Sequence, residues 1–462
     1  MKLTRNMHPG SPLSMRARAG FSSRSQGAAA WCVFAWLLLW SGYNTGIYVV
    51  QAANFPANWL QLVHGVRAFF PLLAGWLALV VLLRKKGVRI GAVAGPLGLC
   101  GLFAGVGMIS SVFISKFPLN AFYWACMYGA VVVVLVAVCS NEEALTSLAR
   151  VIETNWMVAI FFLLALLLAL PFLGRDALTA TTESPLGVIA YNGLIANHQT
   201  ILGMSSTRNT GLARYAAVAG LVALGRLMKN RTWTRIFWVS ILTVGLYALV
   251  LAQARTETIG FLAGAPVILC LRKSRRAILL GVGSLAVGLL WVIGFFQKLW
   301  EFGTRGQGFN PTLTGRTIQW MEGLAATKQS PWIGLGFQAD RYYLHGIQLE
   351  DALFHALIQA GVLGTLAFVS AFVLAWFLLV KLYASPQSGR LPDEIPGILA
   401  FFTVMSVTES TAFYGANWLL VAPVLAYIQV LAWQHGIIDS RSWSLGRRIS
   451  SIEPRPPLQG LS

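Results

Sequence analysis

The stretch ALFHALIQAGVLGTLAFVSAFVLAWFLLV, residues 352–380, contains no Asp, Glu, Lys or Arg. A helix needs about 20 apolar residues to cross the hydrocarbon core of a bilayer, and this run exceeds that. Similar runs recur at 28–50, 66–83, 90–113, 119–139, 156–172, 211–228, 236–253, 257–271, 277–296, 398–414 and 418–434. Apolar length predicts an all-α, polytopic membrane protein of about twelve transmembrane helices.

Composition agrees. Of 462 residues, 56% are hydrophobic and 11% are charged, whereas soluble domains are about a quarter charged. Disorder, a collagen-like repeat and a cytosolic enzyme are excluded as readings of the whole chain. Cys32, Cys100, Cys126, Cys139 and Cys270 lie in or beside apolar runs without metal-ligand spacing, so they read as packing residues. No metal site and no cofactor are expected.

The net charge of +19 comes from 35 Lys+Arg against 16 Asp+Glu. Its placement points to topology rather than to nucleic acid. Basic clusters fall at 2–24, 84–89, 226–235, 272–276 and 441–448. They alternate correctly with twelve spans and define a cytoplasmic side holding both termini. The expected organisation is a disordered basic tail over 1–27 and a transmembrane domain over 28–439. A second disordered tail covers 440–462. The basic tail leads into an uncleaved first helix. Two segments outside are too long for turns, 174–210 and 297–351, and loops of that length usually carry function. The second, between spans nine and ten, is expected to be partly helical, with Ile318, Met321, Leu324 and Ala325 at helical spacing over 314–327.

Basic residues on the outside run against the positive-inside rule and need a reason. Most of them are Arg, the side chain suited to two-pronged contact with phosphate or carboxylate oxygens. Arg67 starts the second span, Arg214 lies a turn into the sixth, and Arg255 stands between the seventh and eighth. Snorkelling, or pairing with Glu257 or Glu409, would satisfy any one of them. Together they point to an anionic, lipid-linked substrate. Arg316 and Trp320 share a helix face, a plausible sugar-phosphate platform, although Trp320 would serve equally as an interfacial anchor.

The region from about 208 to 415 resembles the superfamily of O-antigen ligases and Wzy-type polysaccharide polymerases. The residues that carry the likeness are Arg208 to Gly211, Gln253-Ala254-Arg255-Thr256, and Gly315-Arg316 followed by Trp320. They continue with Pro331 to Gly336, the helix start with Gly361 and Gly364, and Glu409. The resemblance implies a bacterial inner-membrane enzyme with its active site on the periplasmic face. Such an enzyme takes glycan from undecaprenyl diphosphate and transfers it to an acceptor hydroxyl without metal or nucleotide sugar. Its partners would be the lipid-linked oligosaccharide, the bilayer, and chain-length or export proteins. Ligases transfer to lipid A–core; polymerases transfer to another lipid-linked repeat unit.

Ligases carry a His ahead of the first glycine of the tenth span. Here Glu350-Asp351 occupies that place, with His345 and His355 to either side. The polymerase reading is therefore preferred to the ligase. A flippase for the lipid-linked unit is the rival from another class; it would show broken, paired helices and internal repeats. For the leaving diphosphate, Arg208, Arg214, Arg255 and Arg316 are the expected cations. For the acceptor proton, Glu350, Asp351, His345 and His355 are the candidate bases. Two plainer readings stand beside these: Glu350-Asp351 as a helix cap, and His355 as a polar residue satisfied inside the bundle.

Overall fold

The computed structural model describes residues 31–33, 35–36, 70–84, 88–179, 200–201, 204–205, 210–229, 234–252, 254–270, 316–344, 349–384, 391–407, 409 and 415–438. Among these the chain is helical, apart from one antiparallel pair, β1 (Thr200–Ile201) with β2 (Met204–Ser205). The helices are α1 (Phe70–Arg84), α2 (Ile90–Val93), α3 (Pro96–Phe113), α4 (Pro118–Cys139) and α5 (Ala144–Thr179). There follow α6 (Thr210–Lys229), α7 (Thr234–Ala252), α8 (Arg255–Cys270), α9 (Arg316–Thr327) and α10 (Ala339–Tyr343). The last are α11 (Ala352–Ala384), α12 (Glu394–Met405) and α13 (Gly415–Gln434).

Among the described residues five helices are long and apolar enough to cross a bilayer: Pro96–Phe113, Pro118–Cys139, Ala144–Ala165, Thr234–Ala252 and Ala352–Ala384. The expectation of about twelve spans is met to that extent. Phe70–Arg84, Glu394–Met405 and Trp418–Gln434 are apolar but shorter. The spans at 28–50 and 277–296 fall largely outside the described residues, as do both tails. Three boundaries differ from expectation. The helix read at 156–172 begins at Ala144 and continues to Thr179, so the segment read as a loop from 174 starts as helix. The run at 398–414 ends as a helix at Met405, and the chain then bends. The run at 90–113 is not one helix.

That third run breaks between Val93 and Pro96. Proline has no N–H to donate and disfavours helix at the residue before it; Gly95 accordingly takes φ 151°. A break inside a membrane protein is tolerated when its freed backbone groups find partners. Fully buried Gln429 of α13 supplies them. Its Nε2 donates to Gly91 O at 2.8 Å, and its Oε1 accepts from Leu97 N at 3.0 Å.

A second break lies in α11 at Gly361, where φ is 62° and ψ is −165°. The turn Ser330–Phe337 closes it by backbone pairing. Leu335 N donates to Ile358 O at 2.8 Å and Gly336 N to Gln359 O at 3.0 Å. From the other side, Val362 N donates to Pro331 O at 2.8 Å and Leu363 N to Trp332 O at 3.1 Å. Ser110 and Ser111 of α3 complete the joint: Ser110 Oγ donates to Gln359 O at 3.0 Å, and Ser111 Oγ accepts from Phe337 N at 3.0 Å. The Pro331-to-Gly336 motif and Gly361 thus form one structural unit, which fastens the segment before α11 to that helix.

Two hydrophobic clusters result. The main core joins α1 to α8 with α11 to α13 and includes Trp36, Phe103, Leu135, Trp156, Phe368 and Phe401. A smaller one, Ala326, Leu335, Ala339, Leu344, Leu349 and Ile358, lies beneath α9 and α10. Helix α6 is too polar to stand among the five spans because it carries Arg214, Arg226 and Lys229. Both its arginines are paired. Arg226 Nη2 reaches Glu153 at 2.5 Å and Glu394 at 3.0 Å, at the opposite end of the helix from Arg214.

Candidate functional site

Four segments meet where α6 and α8 begin and α12 ends. Helices α8 and α12 cross closely, because a Cβ on Gly264 would stand 2.5 Å from Gly397 O. That crossing brings Glu257, in the first turn of α8, toward Glu409, just past α12. Ala352 N donates to Ser406 O at 3.0 Å, tying the start of α11 to the same corner. Arg214 stands a turn into α6, and Arg316 opens α9.

Glu409 is the hinge of the cluster. Its Oε2 accepts from Arg214 Nη2 at 2.9 Å, and its Oε1 lies 3.8 Å from Arg316 Nη2. Arg214 also donates from Nε to Glu257 Oε1 at 3.2 Å, and Glu257 is 1% exposed. Arg316 Nη2 holds Glu350 Oε2 at 2.5 Å, with the Glu350 side chain 46% exposed. The two arginines therefore differ in kind. Arg214 sits between two carboxylates that are nearly or wholly enclosed, and removing one partner of such a group leaves an uncompensated charge. Arg316 shares a carboxylate open to solvent, and its buried Nε meets no acceptor.

These pairings answer the question of why arginine stands here. The plainer reading holds for Arg214, which pairs with Glu257 and Glu409 as that reading named. Arg316 takes Glu350, a residue read as a possible base. Arg255 opens α8 and is partly buried. Arg67, Arg208 and His345 lie outside the described residues.

The remaining expected site residues have structural surroundings. Asp351 Oδ1 accepts from Leu353 N at 2.8 Å and from Phe354 N at 2.9 Å. It is the N-cap of α11, satisfying donors that a helix start leaves free. Burial raises its carboxyl above the usual range, opposed by those two N–H bonds and by His355 and Arg316. His355 is wholly buried. Its Nδ1 faces Asp340 Oδ2 at 3.2 Å and its Nε2 lies 2.6 Å from the Gln359 amide nitrogen. His355 is thus enclosed between Asp340 and Gln359. Trp320 packs on Phe354 at 5.4 Å between ring centroids and borders the smaller hydrophobic cluster. It is part of that packing.

Sequence reasoning did not place Asp340 or Gln359 in the site, and it named Glu257 only as a pairing partner for an arginine. The four-residue step from His355 to Gln359 is a legible signal, since such pairs share a helix face. Asp340 follows no pattern that marks it. Among the described residues no group of His, Cys, Asp and Glu is arranged to hold a metal ion.

The five helices that can span a bilayer, with an arginine–carboxylate cluster where α6, α8, α9 and α12 meet, define a membrane protein with a polar site beside its apolar core. Residues 241–369 match the family model described as O-antigen ligase. The resemblance to O-antigen ligases and Wzy-type polymerases is thereby shown for this stretch, which runs from α7 into α11 and includes Glu257, Arg316, Glu350 and the Gly361 break. A curated relative, exopolysaccharide production protein ExoQ of Rhizobium meliloti (strain 1021), is 25% identical over 247 residues, covering 46% of this chain and 55% of the relative. The chain thus spans about half the length of that relative.

Proposed function

We propose that this chain polymerises a bacterial surface polysaccharide. It takes a glycan from undecaprenyl diphosphate at the periplasmic face of the inner membrane and joins it to a hydroxyl of another lipid-linked repeat unit. The observation that carries this reading is the Arg316–Glu350 pair, a solvent-reachable cation and carboxylate at 2.5 Å. Glu350 is the exposed half of the pair, so water and another anion can reach it and compete for Arg316. A diphosphate offers Arg316 a better match than one carboxylate does, because the guanidinium fork binds phosphate oxygens two at a time. In taking Arg316, the donor frees Glu350.

The chemistry then balances with these two residues. The acceptor oxygen attacks the anomeric carbon, and its proton passes to Glu350 as general base. The bond from that carbon to the diphosphate oxygen breaks, and the electron pair leaves with undecaprenyl diphosphate. Arg316 faces the charge that builds on that oxygen. Arg214, locked between Glu257 and Glu409, fixes the corner rather than contacting donor.

The name of the Rhizobium relative supports an exopolysaccharide as product. The family description supports a second reading, transfer to lipid A–core by a ligase. A flippase has less support. The breaks in α2–α3 and α11 resemble those of transporters, but Gln429 and the Ser330–Phe337 turn fill them, so neither lines an open path.

Glu350→Gln tests the assignment. The expected result is loss of polymer in cells, accumulation of lipid-linked repeat units, and normal protein level. Full-length polymer at wild-type yield would remove Glu350 from the reaction. Transfer of glycan to lipid A–core by the unaltered protein would favour the ligase.

A further inference from the structure

We infer that Asp340 is a positioning residue for the transfer site, acting through Leu349 and His355 to hold Glu350 against Arg316. The inference rests on the reading of Arg316 and Glu350 given above. Asp340 is wholly buried, and one of its oxygens does two things: Oδ2 accepts from Leu349 N at 3.1 Å and meets His355 Nδ1 at 3.2 Å. It therefore links α10, the strand of chain entering α11, and α11 itself. Burial alone would push this carboxyl up, but the His355 ring, the Leu349 N–H and Arg341 together hold it below the usual range. The ionised form is thus the one the site favours.

The consequence for the reacting groups follows from sequence adjacency and packing. Leu349 precedes Glu350 and is fully buried. It wedges against α9, where a Cβ on Gly323 would stand 2.9 Å from Leu349 Cδ1. Arg316 opens that helix. Fixing the Leu349 backbone thus sets both the position of Glu350 and the seat of the helix that carries Arg316. On the other side of the pair, Asp351 caps α11, so Glu350 is pinned between two carboxylate-to-backbone anchors. A buried charge in this position is costly unless it is partnered; Oδ2 meets Leu349 N and His355, while Oδ1 meets no donor. Catalytic groups lose much of their rate when displaced by about 1 Å, on the order of a hundredfold.

The inference also separates two roles for His355. As a reacting group it would need an imidazole. As the partner of Asp340 it needs a donor at the place of Nδ1, which an asparagine amide can supply.

The test uses the full-length protein in detergent or nanodiscs, with an undecaprenyl-diphosphate-linked repeat unit as substrate. Asp340→Asn should lower kcat about tenfold to a hundredfold. Its KM for donor should stay within about twofold of wild type, and amide exchange at Leu349 should quicken. His355→Asn should keep most of the turnover, and His355→Leu should fall to the level of Asp340→Asn. The double variant Asp340→Asn with His355→Leu should fall no further, because the two act as one unit. Should Asp340→Asn fail to accumulate, the two His355 variants decide alone. Wild-type kcat in Asp340→Asn, or His355→Asn as inactive as His355→Leu, overturns the inference. Arg316→Lys and Glu350→Gln are measured alongside. If both lose turnover while Asp340→Asn does not, only the positioning role fails. If both keep it, the reading of the site fails and this inference with it.

Discussion

Arg316→Lys is expected to reduce polymer formation about a hundredfold to a thousandfold, the scale of losing a positioned donor to a developing oxyanion, with protein level and melting temperature at wild-type values. The argument is geometric. Lysine keeps the charge but replaces a planar fork by a single point donor. Its ammonium can still meet Glu350, an exposed partner whose loss costs the fold little. It cannot hold two diphosphate oxygens at once. Arg214→Lys should differ in kind. Its guanidinium bridges two carboxylates through two separate nitrogens, Nε to Glu257 and Nη2 to Glu409. A lysine reaches one and leaves the other enclosed without its partner, a loss of about 3–5 kcal/mol where the pair is buried. Protein level should therefore fall with Arg214→Lys and hold with Arg316→Lys. Polymer yield normalised to membrane-inserted protein measures the difference. Normal yield per molecule in Arg316→Lys would return that residue to a structural role.

Gly361→Ala is expected to destabilise the protein by about 3 kcal/mol or more, since backbone conformations accessible essentially to glycine cost up to that much for other residues and a steric conflict adds to it. At Gly361 φ is 62° and ψ is −165°. A Cβ there would lie 2.4 Å from Trp332 C and 2.5 Å from Gly334 N and Ile333 N. These are backbone atoms of the turn that pairs with the break, so no side chain can swing aside. Relief requires the turn to leave α11, which gives up the four backbone hydrogen bonds joining them. Thermal melting of the detergent-solubilised variant reads the effect, with Gly105→Ala as control, where an added Cβ meets nothing within 4 Å. Equal melting temperatures for the two variants would contradict this account of the joint.

How much of this was legible in the sequence depends on the range over which each feature is determined. Spans are local. Apolar length alone marks the runs that became α3, α4, α7 and α11, and helical spacing over 314–327 marks α9. The break at Gly95 was locally signalled by Gly95-Pro96 but masked by the apolar run around it, and its filling by Gln429 joins residues far apart in the chain. The Pro331-to-Gly336 motif stood out as a pattern. Its purpose did not, because backbone pairing to a helix break leaves no trace in side-chain chemistry. The arginines were visible as exceptions to a charge rule. Glu257 and Glu409 were visible as possible partners, but which arginine each would take was not, since Arg214 and Glu409 meet only once α6, α8 and α12 are packed. Asp340 carried no signal, because its significance arises from contacts with Leu349 and His355, nine and fifteen residues further along the chain.

In the proposed reaction this protein makes glycosidic bonds from a lipid diphosphate with Arg316 and Glu350 at the reacting centre. The most direct measurement reconstitutes the purified protein in liposomes with an undecaprenyl-diphosphate-linked repeat unit, in excess chelator. Product length and released lipid are then followed together. The expected result is a ladder of lengthened glycans, one undecaprenyl diphosphate released for each bond formed, and none of this with Glu350→Gln. Movement of the repeat unit across the bilayer with no new glycosidic bond, or turnover that stops with chelator and returns with a divalent ion, would contradict the account.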